Sequence, residues 1–509
     1  MRRGHRSRLV RLPAPLTAHR QSWAAPHVSR NASLDCPSTF GCTADQGPRR
    51  PESTALYRVL QHHLETFLER AEAAGGLPAF VERELRAHLT CGILAHGFVR
   101  ARCDACGHDR LVAFACKGRG FCPSCGGRRM ADTAAWLRDA VLVGVPVRQW
   151  VLTLPWWLRR AVAFDNALSG AILRAFVQAV HRLLAARAGR PGGACGAVTV
   201  IQRFGGALNL NPHFHTLIPE GVYHQQTDGQ VRFEAVIGPS RAEVEALLAE
   251  IVEAVRRMLE RRGGPTDGSV TLEAMADASQ RQLQLLGPAP GQPIDRERAA
   301  LPGPPGEAWL SVAHEGFTLN AQVRVEADDP EGLERLCRYV ARPAIAQDRL
   351  RLLEGDRIAL ELRRPWRDGT TELVFDPLDF IARLAAQVPA PRTNLVRYHG
   401  VFAPAARLRP LIVKTAEPED ERAISMGHAR PTARRGRLRR RLTWAALMMR
   451  VFGTDVLRCP TCEGRMRVIA HIEEPEVVVR ILRHLGLPTA APPTARARPP
   501  PEQLDCWDD

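Results

Sequence analysis

The stretch Asn211-Pro212-His213-Phe214-His215-Thr216-Leu217-Ile218 has the character of a β-strand, and its reading decides the fold. Side chains of a strand alternate between two faces, so His213 and His215 share one side while Phe214 enters the core behind them. Two neutral imidazoles so placed can chelate one divalent cation, and a cation beside a phosphodiester can act as Lewis acid and template. The same pattern also suits two half-buried strand histidines with no ligand, and the surrounding chain must discriminate. Asn209-Leu210-Asn211-Pro212 supplies turn chemistry, and Ala197 to Arg203 reads as the preceding strand. Two strands joined by so short a loop should pair antiparallel.

Outward from this hairpin the pattern alternates. A strand is expected over Val147 to Leu154 and a helix over Ala161 to Ala186. A helix follows over 240–262, then a strand near 318–325, a helix from Pro330 to Ala341, and strands at 358–363 and 371–375. This order predicts an α+β fold with a central antiparallel sheet flanked by helices. An amphipathic helix runs from Thr54 through Glu72, and a cysteine-rich module from Cys91 to Met130 forms a separate appendage.

At 509 residues the chain exceeds one hydrophobic core. The expected division is a basic disordered tail (1–50), a helical and zinc-binding domain (51–140), a nuclease domain (145–403), a basic linker (404–442), a small helical module with a cysteine pair (443–487) and a disordered tail (488–509). The formal charge of +16 is carried almost wholly by arginine, which favours phosphate contacts and a nucleic-acid partner. No apolar run is long enough to span a membrane, so a soluble protein is expected.

Thirteen cysteines, mostly in short pairs, fit reduced metal-bound thiolates better than disulfides. Cys103-x-x-Cys106 and Cys122-x-x-Cys125 predict one tetrathiolate zinc site, with Cys116 as a competing ligand and Cys91 in a core. Around it stand Arg110, Lys117, Arg119, Arg128 and Arg129, for phosphates or for balancing thiolate charge. Cys459-Pro460-Thr461-Cys462 is half a site, to be completed by His471, Cys506 or another chain, unless it is a simple turn. The six arginines between Arg434 and Arg441 suit DNA contacts or a solvated arm.

Tyrosine is confined to positions 57, 223, 339 and 398. Tyr339 is the candidate nucleophile. Its helix begins at Asp329-Pro330, ends at Arg342-Pro343, and brings Arg338, Arg342 and Arg349 near the hydroxyl. A structural tyrosine on an amphipathic helix is the plainer alternative.

Several segments follow one another in a specific order: Cys91 to Phe98, Phe121 to Cys125, Arg148 to Leu152, Gln202 to Gly205, Leu208 to His215, and Tyr398 to Phe402. Over roughly residues 52–490 the chain thereby resembles the bacterial rolling-circle transposases related to insertion sequence ninety-one. The resemblance implies an HUH nuclease, named for its His-hydrophobic-His motif. It implies nicking and rejoining of single-stranded DNA at mobile-element ends through a 5′-phosphotyrosine, with Mg²⁺ or Mn²⁺ at His213 and His215 and structural zinc in the N-terminal domain. Such enzymes take a third ligand from a neighbouring strand, for which Gln202 is the candidate. Arg203, Asn209, Asn211, Arg338, Arg342 and Arg349 are the expected DNA contacts. Two-tyrosine members carry a second tyrosine four residues earlier, where this chain has Arg335. One tyrosine must then serve successive cleavages, or a second protomer of a homodimer supplies another. A replication initiator, a relaxase and an inactive zinc-dependent DNA-binding protein remain the competing expectations.

Overall fold

A computed structural model describes residues 50–262, 269–298, 309–414, 442–453 and 455–499. The fold is α+β and is organised by a seven-stranded sheet whose strand pairs are all antiparallel. The histidine strand, Leu210–Pro219, lies inside it between Gly196–Phe204 and Val147–Thr153. Outward from Val147–Thr153 come Phe317–Asn320 and Ser311–His314, with Arg324–Val325 also pairing Val147–Thr153, while Val396–Gly400 closes the opposite edge.

Interior strands are buried on both faces, and their two sets of side chains feed different cores. Trp150, Leu152, Ile201, Phe214 and Ile218 pack beneath the helices Asn166–Arg187 and Arg241–Arg262. Phe214 is fully buried there, and withdrawing such a ring from water stabilises the strand by roughly 1.5–3 kcal/mol. On the other face Val147, Val198, Val200 and Leu217 meet Leu333, Leu336 and Val340 of the helix Pro330–Val340. Strand periodicity therefore points the two histidines at that helix.

The helix Pro330–Val340 starts as its sequence dictates. The Asp329 side chain accepts from Gly332 N at 2.7 Å, and Pro330 occupies the first turn, where no amide donor is needed. The run expected as one helix over Ala161 to Ala186 is two, Trp156–Phe164 and Asn166–Arg187. Asp165 breaks it by capping the second, accepting from the amides of Ala167 and Leu168. The strand expected near 318–325 is likewise two short pieces.

A deeply buried charge braces the far end of Val147–Thr153. Arg148 donates to Glu220 at 2.6 Å and to the Ala321 carbonyl at 2.7 Å, and Arg324 shares the same carboxylate.

The edge motif Tyr398 to Phe402 is structural. Gly400 has φ +56°, and a Cβ there would lie 1.9 Å from the Cys195 carbonyl oxygen, so only glycine fits. Phe402 is fully buried against Gly196, whose own Cβ would sit 2.6 Å from the ring.

At the N-terminal end, Phe98–Cys103 pairs with Asp109–Ala113 on one side and with Met466–Ile472 on the other. Residues 443–487, expected as a module of their own, thus lend a strand to the N-terminal sheet. The expected tail 1–50 and the arginine-rich arm at 430–441 fall outside the described residues, except for Arg50. Among the described residues no helix is long and apolar enough to cross a membrane.

Candidate active site and metal centres

His213 and His215 stand side by side with ring centroids 4.8 Å apart. Each ring is oriented by a bond from its Nδ1. For His213 the partner is the Asn211 carbonyl at 2.7 Å. A carbonyl only accepts, so Nδ1 carries the proton and Nε2 keeps its lone pair. His215 Nδ1 meets the side-chain amide of Gln149 at 2.7 Å. The facing atom is Gln149 Nε2, a donor; turning that amide over would place Oε1 against an Nδ1–H and leave a free lone pair on His215 Nε2, a buried atom with no hydrogen-bond partner.

Gln202 pairs directly across from His213. Its Nε2 donates to the carbonyl of Val340 at 2.7 Å and more weakly to that of Tyr339 at 3.4 Å, which leaves Oε1 buried and without a partner. Gln202 Oε1 and His215 Nε2, both buried and unpartnered, share one sheet face with the His213 ring, and the three form a donor set that fits a divalent cation.

The helix Pro330–Val340, which carries the candidate nucleophile, completes the site. The Tyr339 ring stands edge-on to His215, with centroids 5.9 Å apart and planes at 88°. Arg342 lies over the Tyr339 ring at 4.9 Å and over Phe204 at 5.7 Å. The same glutamine that lines the metal position therefore grips the carbonyl of the nucleophile candidate, and one side chain couples the two.

Burial holds His213 down to about 4, despite the raising effect of its bond to Asn211, with Arg342 and Arg159 lowering it further. Burial also keeps His215 well below its ordinary value. Away from the site, burial brings His181 and His399 to about 4, aided by the charge of His399 on the first and of Arg397 on the second. All four are neutral near pH 7, as metal ligation requires of the first two. Because the folded values lie below the unfolded one, the unfolded chain takes up more protons as pH falls. Stability should be full above about pH 6.5 and decline from there towards pH 4. Melting temperatures across that window should fall steadily, and a flat profile would contradict the neutral, buried assignment.

The expected DNA contacts divide. Arg342 faces the site. Arg203 does not, since it is buried and its guanidinium is spent on the carbonyls of Ala163, Ala386 and Gln387. It braces two helix ends against the sheet. Asn209 is also buried, folded over Gly205, where a Cβ would come 2.2 Å from its Oδ1. Arg338 is paired with Glu334 at 2.6 Å, and Arg349 donates to the Glu361 carbonyl at 2.7 Å. Asn211 contributes its main chain to His213, as above. These residues lie close to the motif in sequence, but tertiary packing turns several of them inward.

The thiols also regroup. Cys103, Cys106, Cys122 and Cys125 do not share one ion. Cys122 and Cys125 gather with Cys91 and Cys116, whereas Cys103 and Cys106 gather with Cys459 and Cys462. Sγ separations in the first cluster are 3.5 to 3.8 Å. A tetrahedron of four sulfurs around zinc has edges of about 3.8 Å, given Zn–S near 2.3 Å. The physical reason for the regrouping is the strand pair 98–103 and 109–113, which carries the first knuckle away from the second. Cys91, expected in a core, is drawn in instead.

The first zinc cluster bears on the active site through the helix Pro123–Trp136, whose start it anchors. That helix packs on the nucleophile helix so closely that a Cβ on Gly126 would lie 2.7 Å from Pro343 Cβ. Nearby, Arg119 donates to the carbonyls of Thr393 and Ala390, Arg129 to those of Lys117 and Gly118 and Arg110 to that of Val456. These arginines hold backbone.

Comparison with known proteins agrees with this architecture. Residues 59–154 match the family model of the transposase zinc-binding domain of insertion sequence ninety-one. Residues 196–409, which include the histidine strand and the nucleophile helix, match a family described as "Putative transposase". In both regions the chain is similar to transposases, and in the first to those of the insertion-sequence-ninety-one type. A protein given the same description in Sinorhizobium fredii is 25% identical over 385 residues, covering 73% of this chain and 84% of that protein. No solved structure matches. The transposase likeness implies a DNA-cleaving enzyme with DNA as partner, and the zinc-binding-domain match together with the two thiol clusters supports structural zinc.

Sequence reasoning gave no role to Gln149, Arg159 or the tryptophans at 156 and 157. A polar residue inside the apolar strand text of Val147 to Leu154 was the available signal for Gln149. Trp156 and Trp157 are 60% and 54% exposed, immediately after the strand that pairs Thr153 with His213. Large aromatic faces left in water beside a site mark an interaction surface.

Proposed function

We propose that this transposase nicks and rejoins single-stranded DNA at mobile-element ends, with Tyr339 as nucleophile. The observation that carries the reading is the edge-on placement of Tyr339 against His215, on the sheet face that also carries the unpartnered Gln202 Oε1 and His215 Nε2. His213, His215 and Gln202 would hold Mg²⁺ or Mn²⁺, which when bound supplies Lewis-acid polarisation of the scissile phosphate. The Tyr339 oxygen forms a bond to phosphorus as the bond to the 3′-oxygen breaks. The phenolic proton leaves, the departing 3′-oxygen takes one up, and the 5′-phosphate remains on the tyrosine. Attack by a 3′-hydroxyl reverses the step and joins strands, with the phosphodiester energy conserved in the covalent bond. Arg342, stacked on the phenol, places a fixed positive charge where the phosphate must come. One phenol per active site suits reuse of Tyr339 or the pairing of two protomers.

Incubation with an end-labelled single-stranded oligonucleotide and Mn²⁺ tests this. A covalent protein–DNA adduct is expected, abolished by a chelator that spares zinc and absent in His213→Ala, which should keep its zinc. Cleavage without an adduct would point to water as the nucleophile.

Gln202→Leu keeps the volume and loses both the oxygen and the anchor to Val340. The apparent affinity for Mn²⁺ in cleavage should fall about 10–100-fold, the range for disturbed ligand shells. Unchanged Mn²⁺ dependence would remove Gln202 from the ligand set. The exposed tryptophans suit base stacking, worth about 1–3 kcal/mol per base. Trp156→Ala with Trp157→Ala should weaken single-strand binding by at least about tenfold in an anisotropy titration, without changing zinc content.

A further inference from the structure

We infer that Cys103, Cys106, Cys459 and Cys462 form a second structural zinc site, a clasp that joins the two ends of the folded chain into one zinc ribbon. The matched family regions stop short of Cys459 and Cys462. Sγ atoms lie 3.5 Å apart between Cys103 and Cys462, and 3.6 Å apart between Cys106 and Cys459. That is the edge of a tetrathiolate tetrahedron, and far from the roughly 2.05 Å of a disulfide.

The backbone repeats itself at the two halves. Cys103 N donates to the His108 carbonyl at 2.9 Å and Gly107 N to the Cys103 carbonyl at 3.0 Å. Cys459 N donates to the Gly464 carbonyl at 2.8 Å and Glu463 N to the Cys459 carbonyl at 3.0 Å. The fourth residue after each leading cysteine is left-handed, Gly107 at φ +74° and Glu463 at φ +61°. Two cysteine pairs separated by 353 positions have thus folded into the same knuckle. A non-glycine residue in that conformation costs about 1 kcal/mol, which metal ligation readily offsets. Gly464 packs beneath the sulfurs, where a Cβ would lie 3.2 Å from both Cys103 and Cys462 Sγ. The strands that leave the knuckles, Asp109–Ala113 and Met466–Ile472, flank Phe98–Cys103 in one sheet.

The clasp also delivers the helix Trp444–Phe452 to the site. Its Arg450 pairs with Asp139 and, at 2.8 Å, with Glu334 on the nucleophile helix. Glu334 receives Arg138 at 3.0 Å and Arg338 at 2.6 Å as well. Arg338 belongs to the same helix, so releasing the clasp removes one of two arginine anchors, Arg450, and leaves Arg138 to hold the helix that carries Tyr339.

The test is metal content, which is independent of the cleavage chemistry proposed above. Full-length protein treated with a mercurial thiol reagent should release two equivalents of zinc per chain, and Cys459→Ser with Cys462→Ser should release one. Hydrogen exchange in that variant should accelerate in Met466–Ile472 and in Pro330–Val340. If the double variant does not fold, Cys462→His decides. Loaded with Co²⁺, it should show the visible bands of a mixed sulfur and nitrogen site alongside the intact tetrathiolate. One equivalent in the unsubstituted protein, two in the double variant, an unchanged Co²⁺ spectrum in Cys462→His, or a disulfide joining these pairs in freshly reduced and repurified protein would each overturn the assignment.

Discussion

Tyr339→Phe should bind a single-stranded substrate within about twofold of the unsubstituted enzyme and cut it at least ~10⁴-fold more slowly, with no covalent adduct. The substitution removes one oxygen. The ring keeps its edge-on contact with His215 and its stacking under Arg342, so the metal position and the helix are undisturbed. Tyr57 and Tyr223 belong to buried cores, and Tyr398 sits on the edge strand that pairs with Gly196–Phe204. None of the three has been placed with the histidine rings. An adduct that survives Tyr339→Phe would sink the nucleophile assignment, and phosphotyrosine mapping by mass spectrometry would identify its replacement.

Cys122→Ser should be the most damaging substitution away from the chemistry. It removes a ligand from the buried cluster with Cys91, Cys116 and Cys125, and a structural zinc of this kind contributes about 10–16 kcal/mol to folding in small domains. The consequence reaches the active site because Cys122 caps the helix Pro123–Trp136 that supports the nucleophile helix. Zinc content should drop by one equivalent, proteolysis should open the region around residues 91–140, and cleavage should fall although every proposed catalytic ligand is intact. Loss of zinc with full retention of activity would show that the two helices are held by other contacts.

The two predictions differ in how far they were legible in the chain. The histidine strand, its hairpin partner and the helix from Asp329 all announce themselves locally, by alternation, by Asn and Pro in a turn and by an acidic cap before proline. Helices hidden on every side do not. Pro377–Gln387 is buried at all eleven residues, and its polar stripe of Asp379, Arg383 and Gln387 is spent inside the protein, on Leu285 N and on the Ser279 and Leu208 carbonyls, so no solvent-facing side marks it as a surface helix. Gln202 was legible only as a residue of the strand paired with the histidine strand; its register opposite His213, and the third strand that brings Gln149 to His215, come from the tertiary pairing. Charge was the least informative signal. Arg203 and Arg338 were read as DNA contacts because they flank the motifs, whereas packing assigns the first to helix ends and the second to Glu334.

By itself the amino-acid order determined the α+β class, the strand that presents His213 and His215, the helix that carries Tyr339 and the presence of paired thiols able to hold a metal, because each depends on periodicity, capping or spacing within a few residues. Tertiary structure alone decided which thiols meet, which arginines remain outside and that Gln202 grips the helix of Tyr339. Those outcomes depend on the pairing of strands far apart in the chain: 466–472 against 98–103 brings Cys459 to Cys106. Local patterns cannot encode that meeting, since nothing near Cys103 in the chain differs according to which distant pair completes its tetrahedron.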